Sequence, residues 1–303
     1  MMYELPQDII IFIFDLLSDK DKLELCYTCK KLYLFLNELK FIDFHKYEKV
    51  KDLAYFNNFN SIKLNKCIDL PYVSKIKFDY KFDEDIVLNT NITYLESHNF
   101  NKVIKLELFT NLTCLLLNCF NQLINFQFPQ NLKELYLQRF NQKYNFPFPN
   151  NLIALYLNNF NQEYNFAFPN SLTHLYLDKF NKEYNFPFPN NLKELQLTKF
   201  DQVYNFPFPD TLIHLNLNSF NQKYNFPFPN NLIALQLSYF DKEYNFPFPN
   251  SLIYLNLFSF NQEYNFPFPN YLKYLHLNKF DKKYDFQFPK SLITFSIFKS
   301  FNN

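Results

Sequence analysis

Cysteine and histidine are the side chains here whose spacing invites chemistry. Cys26-Tyr27-Thr28-Cys29 has the spacing of half a zinc site. Zinc needs four ligands, and only His45 and Cys67 stand within reach to complete them, so buried helical cysteines are the simpler reading. His174, His214 and His276 fall on outward positions of what read as strands. Two of them share a row but lie two coils apart, too distant for one metal if coils rise by a strand spacing of about 4.8 Å. They read as surface histidines. No pair of carboxylates keeps a fixed phase, no nucleophile stands beside a base, and a chain with no glycine has no loop to cradle phosphate. The expectation is a binding protein, not an enzyme, with no catalytic residue, metal or cofactor.

The elements that must position any binding residues come from a repeat. Phe stands at 120, 140, 160, 180, 200, 220, 240, 260 and 280, an unbroken period of 20. Leu152, Leu155 and Leu157 share phase with Leu172, Leu175 and Leu177, and the register holds down to Leu292, Phe295 and Ile297. Upstream the copies decay. Leu112, Leu115 and Leu117 keep the phase, Ile92 and Leu95 keep part of it, and Val73, Ile76 and Phe78 keep the apolar spacing alone.

Composition narrows the partners. The chain has 303 residues, no Gly or Trp, one Arg (Arg139), and a formal net charge of +1. Its abundant Phe, Asn, Tyr, Lys, Leu and Ile are what AT-rich codons encode, a genomic bias before a functional one. Lys is spread among Asp and Glu, so a nucleic-acid surface lacks the basic stripe it would need. The apolar run Ile9 to Phe14 is too short for a membrane span and lacks the flanks of a signal peptide. Five cysteines without framework spacing fit a reducing compartment. The Asn-x-Thr tripeptides at Asn91 and Asn111 then read as accidental, and the protein as soluble and intracellular.

Within each unit the end of the LxxLxL segment alternates sides: Leu155 and Leu157 one way, Tyr156 the other, which is the period of a strand. The FPFPNN segment cannot be helix interior, because each Pro removes a donor and restrains its predecessor. Each unit is therefore one short strand plus a tight return, and stacked units form a parallel sheet along a curved rod. One unit alone cannot stand, and neighbour contacts must carry the stability. With no glycine, Asn145 and its equivalents are the candidates for positive φ.

Six units contain Tyr-Asn-Phe-Pro, as at Tyr144–Pro147 and Tyr264–Pro267. This resembles the FNIP repeat, a relative of leucine-rich repeats common in amoebae and their giant viruses. The likeness covers roughly residues 92–298, with Ala167 and the YDFQ of Tyr284–Gln287 as departures. It implies a leucine-rich-repeat-like parallel β solenoid. Phe160 occupies the turn where many such repeats place a ladder Asn, so a stacked Phe spine is expected there, with Asn161 and its equivalents serving backbone polar groups.

Residues 1–45 have another grammar. Pro6 and Asp8 suit the start of a helix, along which Ile9, Ile10, Ile13, Phe14 and Leu17 recur at helical spacing. A second helix carries Leu23, Leu25 and Cys26, and a third Leu32, Phe35, Leu36 and Leu39. Leu5-Pro6-x-Asp8, the Ile-rich helix, Asp21 with Leu23, and Cys29-Lys30 before Tyr33 resemble an F-box. Lys22 interrupts Asp21 and Leu23, and Tyr33 stands where that family often has Trp. The resemblance implies docking on a Skp-type adaptor of a cullin ubiquitin ligase through Leu5, Pro6, Asp8, Ile9, Ile13, Leu23, Cys29 and Tyr33. The expected organisation is an F-box-like three-helix module over 1–45, linker and degenerate capping coils over 46–91, and the solenoid over 92–303.

The outward strand rows vary while the buried positions barely change. They suggest a concave surface with aromatic anchors: Tyr136, Tyr156, Tyr176, His174, His214, Tyr254, Tyr274 and Phe258. Neutral drift of a solvated face is the other reading. The implied function is a substrate receptor that captures a protein target in the cytoplasm, the host's if the chain is viral. The alternative is a non-catalytic repeat scaffold whose N-terminal helices only cap the solenoid. Nucleic-acid and membrane partners are not expected. Self-association through the last strand, around Leu292–Ile297, is expected as well.

Overall fold

The computed structural model describes residues 5–79, 86, 88, 90–102, 104–282 and 287–296. The chain forms two compact units, 1–117 and 118–303.

The first unit begins with α1 (Gln7–Asp15), for which Pro6 supplies the N-cap backbone, and α2 (Asp19–Cys26). Ser18 caps α2, its hydroxyl accepting from the Asp21 N–H. The third helical stretch is shorter than its apolar pattern suggests. The α-helix α3 covers only Lys30–Tyr33 and tightens into a 3-10 turn over Leu34–Asn37. Leu32, Phe35, Leu36 and Leu39 are nonetheless all buried with Ile10, Phe14 and Cys26. Five strands follow: β1 (His45–Lys46), β2 (Ser61–Leu64), β3 (Lys75–Phe78), β4 (Tyr94–Ser97) and β5 (Cys114–Leu117). They pair in parallel in chain order. A one-turn helix, α4 (Tyr47–Val50), follows β1.

The second unit repeats one coil. Its strands are β6 (Glu134–Tyr136), β7 (Ala154–Tyr156), β8 (His174–Tyr176), β9 (Glu194–Gln196), β10 (His214–Asn216), β11 (Ala234–Gln236), β12 (Tyr254–Asn256), β13 (Tyr274–His276) and β14 (Thr294–Ser296). Each pairs in parallel with the next at a shift of 20, as in Leu215↔Leu235 and Leu235↔Leu255. Residues one period apart are thus direct neighbours, and every buried position becomes a column. The expected Phe spine is present: from Phe140 to Phe280 consecutive rings lie 6.1–6.3 Å apart with planes within 5° of parallel. Beside it runs an Asn/Asp ladder. The Asn161 N–H donates to Asn141 Oδ1, Asn181 to Asn161 and Asp201 to Asn181, each at 2.8–2.9 Å.

The buried tyrosine column solves a local polar problem. The Phe N–H between the two prolines of one coil is met by the next coil's phenol: Phe188 N–H donates to Tyr204 Oη at 2.9 Å, and Phe228 to Tyr244 at 2.8 Å. A buried donor left unpaired would be costly, so Tyr replaces the aliphatic residue that size alone would allow. Burial pushes these phenols above the ordinary tyrosine pKa, and the backbone N–H only partly offsets it.

One expectation fails. Asn145 and its equivalents do not take positive φ, and no described residue does. The turn that each coil does show lies further on, where the Leu152 N–H donates to the Pro149 carbonyl, repeated at Leu192 and Pro189. Residues on the ordinary side of φ suffice. In the last coil Phe295 takes the Leu275 column. The expected Ile297, Phe298 and Lys299–Asn303 segment lies outside the described residues, as does most of the YDFQ departure.

Candidate protein-interaction surfaces

Two surfaces carry side chains that the folding of their own unit does not use. The first is on the helical module. Helix α1 buries Ile10 and Phe14 and turns its other face outward. Ile9, Phe12 and Leu16, spaced by three and four, form an exposed apolar stripe, Phe12 62% and Leu16 72% exposed. Of the expected docking residues, Leu5, Pro6, Asp8, Ile9 and Tyr33 are exposed, while Ile13, Leu23 and Cys29 are half-buried. Cys29 and Tyr33 meet in one hollow of about 540 Å³ with Cys26, Tyr27, Thr28, Lys30 and Leu34. The Tyr27 and Tyr33 rings lie 5.8 Å apart at its edge. Phe12, Leu16 and Leu34 are additional exposed apolar groups. The signal for the first two was available: Ile9, Phe12 and Leu16 recur at helical spacing opposite Ile10 and Phe14, but Ile-rich runs draw the eye to one face only.

The first unit also holds a buried ionic cluster. Asp19 and Lys22 are both almost fully buried. Asp19 accepts from the Asp43 N–H at 2.7 Å and meets His45 Nε2 at 3.0 Å. Lys22 Nζ lies 3.4 Å from Asp19 and donates to the Lys40 carbonyl at 2.8 Å. Burial pushes the Asp19 carboxyl up, but the hydrogen bonds from His45 and the Asp43 and Ile42 N–H groups, with the Lys22 charge, bring it below the usual range. The inserted Lys22 is thus a structural tie between α2 and the segment leading into β1.

The second surface is the outward strand face of the second unit. Tyr136, Tyr156 and Tyr176 stack with centroids 4.3 and 4.4 Å apart and planes within 13°. Tyr176 donates from its hydroxyl to Glu194, whose other oxygen lies 3.4 Å from His214 Nδ1. The Tyr176 hydrogen bond, more than His214, holds the Glu194 carboxyl below its ordinary pKa against partial burial. Asp178 accepts from Asn158, Gln196 and Thr198 Oγ1. Further along, Tyr254 lies 6.4 Å from Tyr274 and 5.7 Å from His276, and Phe258 is exposed. His174 is the register partner of Glu194, and its Nδ1 lies 2.7 Å from Thr173 Oγ1. The chosen tyrosines are therefore brought together in two groups, while Glu194, Asp178 and Gln196 connect the first group and were not singled out.

Residues 2–44 match the F-box domain. Among curated proteins, the chain is 41% identical over 59 residues to a putative FNIP repeat-containing protein, L415, of Acanthamoeba polyphaga mimivirus. It is 37% identical over 60 residues to that virus's putative F-box protein L168. These matches span 20% of this chain, and 14% and 29% of those proteins. The chain carries an F-box followed by FNIP-type repeats. Among solved structures it resembles CroV588, described as a circular leucine-rich-repeat protein, with TM-score 0.53 and 28% identity over 78% of this chain and 39% of that one. YopM from Yersinia enterocolitica superposes with TM-score 0.53 at 14% identity over 80% of this chain and 64% of that one, a likeness of fold alone.

An F-box and a leucine-rich-repeat-like solenoid are both interaction folds, and the exposed features follow suit. Among the described residues no group of three His, Cys, Asp or Glu could hold a metal ion. None of the five cysteines forms a disulfide, and burial, then the nearby Cys29, pushes the F-box Cys26 thiol up to about 11, far from a reactive thiolate. No helix among the described residues is long and apolar enough to cross a membrane.

Proposed function

We propose that this chain is a substrate receptor of a cullin ubiquitin ligase. Its F-box docks on a Skp-type adaptor through Leu5, Pro6, Asp8, Ile9, Ile13, Leu23, Cys29 and Tyr33, with Phe12 and Leu16 extending the face. The repeats capture a target protein on the strand face, through Tyr136, Tyr156, Tyr176, His174, His214, Tyr254, Tyr274 and Phe258, in the cytoplasm of the cell that makes it. We assign the module to 1–45, the entering coils to 46–91 and the array to 92–303. The observation that carries the reading is the Ile9–Phe12–Leu16 stripe. An exposed apolar row of this size on a small module marks an interaction site. Co-expression with a Skp-type adaptor tests it: the adaptor should co-purify with the wild-type chain and be lost on Ile9→Asp with Phe12→Asp. Retention of the adaptor by that variant would overturn the reading.

One observation favours a scaffold with a helical cap instead. The Asp19–Lys22–His45 cluster ties α2 to the first strand, as a cap would require. If the helices serve only as a cap, Asp19→Asn destabilises the first unit and Ile9→Asp with Phe12→Asp changes no partner.

A further inference from the structure

The tyrosine stack ends in a pocket. Beyond Tyr176 the next coil places Gln196 in the same row, and a hollow of about 270 Å³ opens there, lined by Tyr176, Glu194, Gln196, His214, Asn216 and Gln236 with backbone and small side chains. Glu194 is its one carboxylate, and neither Lys nor Arg lines it. The absence extends further: the three outward rows from 134 to 278 hold Glu134, Asp178 and Glu194 but no Lys or Arg at all. In a chain with 30 Lys and Arg, that leaves one face acidic and aromatic.

Two polar groups at the hollow, Gln196 and Glu194, stand as acceptors; Asn216 does not, its Oδ1 already accepting from the Asn218 N–H. Gln196 gives its amide nitrogen to Asp178, which leaves its carbonyl oxygen to accept. Glu194 is held as a carboxylate with lone pairs remaining beyond those used by Tyr176 and His214. A ring plane on one strand, with a carboxylate and an amide oxygen two residues apart on the next, suits a flat cation with a fork of donors. A guanidinium stacks on aromatic faces and pairs with carboxylates in two-pronged fashion, whereas an ammonium is a strongly hydrated point charge.

We propose that this pocket receives an arginine side chain of the captured protein, its guanidinium extending the Tyr136–Tyr156–Tyr176 stack by one layer and pairing with Glu194. The inference deepens the capture role proposed above and rests on it.

A biosensor coated with an extended peptide of Ser and Thr around one central Arg, exposed to the full chain, tests the pocket. Binding should fall about tenfold when that Arg is replaced by citrulline, which keeps shape and loses charge, and severalfold for Lys. Glu194→Gln should lose about as much as citrulline, with an unchanged thermal melt showing that the fold is intact. Glu243→Gln, an exposed carboxylate away from the strands, should bind as wild type. Equal binding of the Arg and citrulline peptides, or no binding of the Arg peptide, overturns the proposal. So does displacement by free agmatine at the concentration needed for free peptide, which would assign the hollow to a small guanidine. Adaptor co-purification is read on the same protein, so failure of the pocket and failure of the receptor reading are separate results.

Discussion

The same outward row does opposite things in the two units. In the first it runs Lys46, Lys63, Lys77 and Glu96 as register partners on adjacent strands. In the second it runs Tyr136, Tyr156 and Tyr176. Parallel in-register pairing sets like beside like. For tyrosine that is favourable, because flat rings a strand spacing apart stack. For lysine it is repulsive, and relief comes at one end, where Lys77 pairs with Glu96. Burial differs in the same way. The repeat unit satisfies its interior by identical columns, while the first unit uses individually tailored clusters, such as Asp19 with Lys22 and His45. A repeated solution spreads its load over many coils, and a unique one fails at one residue.

The largest expected contrast is with pH. The buried phenols from Tyr164 to Tyr264 have folded pKa values raised above their unfolded value. Their contribution is therefore whole below about pH 10 and lost above it, as the unfolded chain ionises first. Asp19 is lowered, so its contribution is present above about pH 4 and lost as pH falls further. Hydrogen exchange across pH should show the second unit, with its column of such phenols against Tyr55 in the first, opening more in alkali, and the first, with its buried Asp19, opening more in acid. Simultaneous opening of both at either extreme would break the comparison.

Single truncations come next. Phe200→Ala removes one layer of the spine and should cost about 3–5 kcal/mol in denaturant unfolding. Asp19→Ala strands the buried Lys22 and should cost about 3–5 kcal/mol, confined to the first unit. A smaller effect is expected from Tyr156→Leu, which interrupts the exposed stack and should cost about 0.5–1.5 kcal/mol beyond its lost area. Smallest of all, Asn218→Ala should stay within about 0.5 kcal/mol. Lys63→Ser should stabilise by a few tenths, about the lower end for a like-charge cross-strand pair, and a loss of stability there would mean the lysine column is not repulsive.

Periodicity alone was enough to read the solenoid and the inward Leu columns, and the resemblance to leucine-rich repeats added the Phe spine and the role of Asn161 and its equivalents. In a stacked array a residue's neighbour is its own repeat, so Phe160 predicts Phe180 without any knowledge of the coil's path. The opening of α1 was legible too, since Pro6 and the Ile-rich run follow local helix rules. What the residues alone could not decide were relations between unlike positions. The phenol of Tyr204 meeting the Phe188 N–H depends on how the coil folds back, and so does the corner that closes without positive φ at Asn145. Lys22 looked like an interruption because nothing local shows that Asp19, His45 and the Lys40 carbonyl converge on it. Glu194 and Gln196 likewise acquire meaning only once strand pairing sets them against Tyr176, Asp178 and His214. Column identity is a property of spacing; contacts across columns depend on the tertiary path of the chain, because distance in space there has no fixed counterpart in sequence.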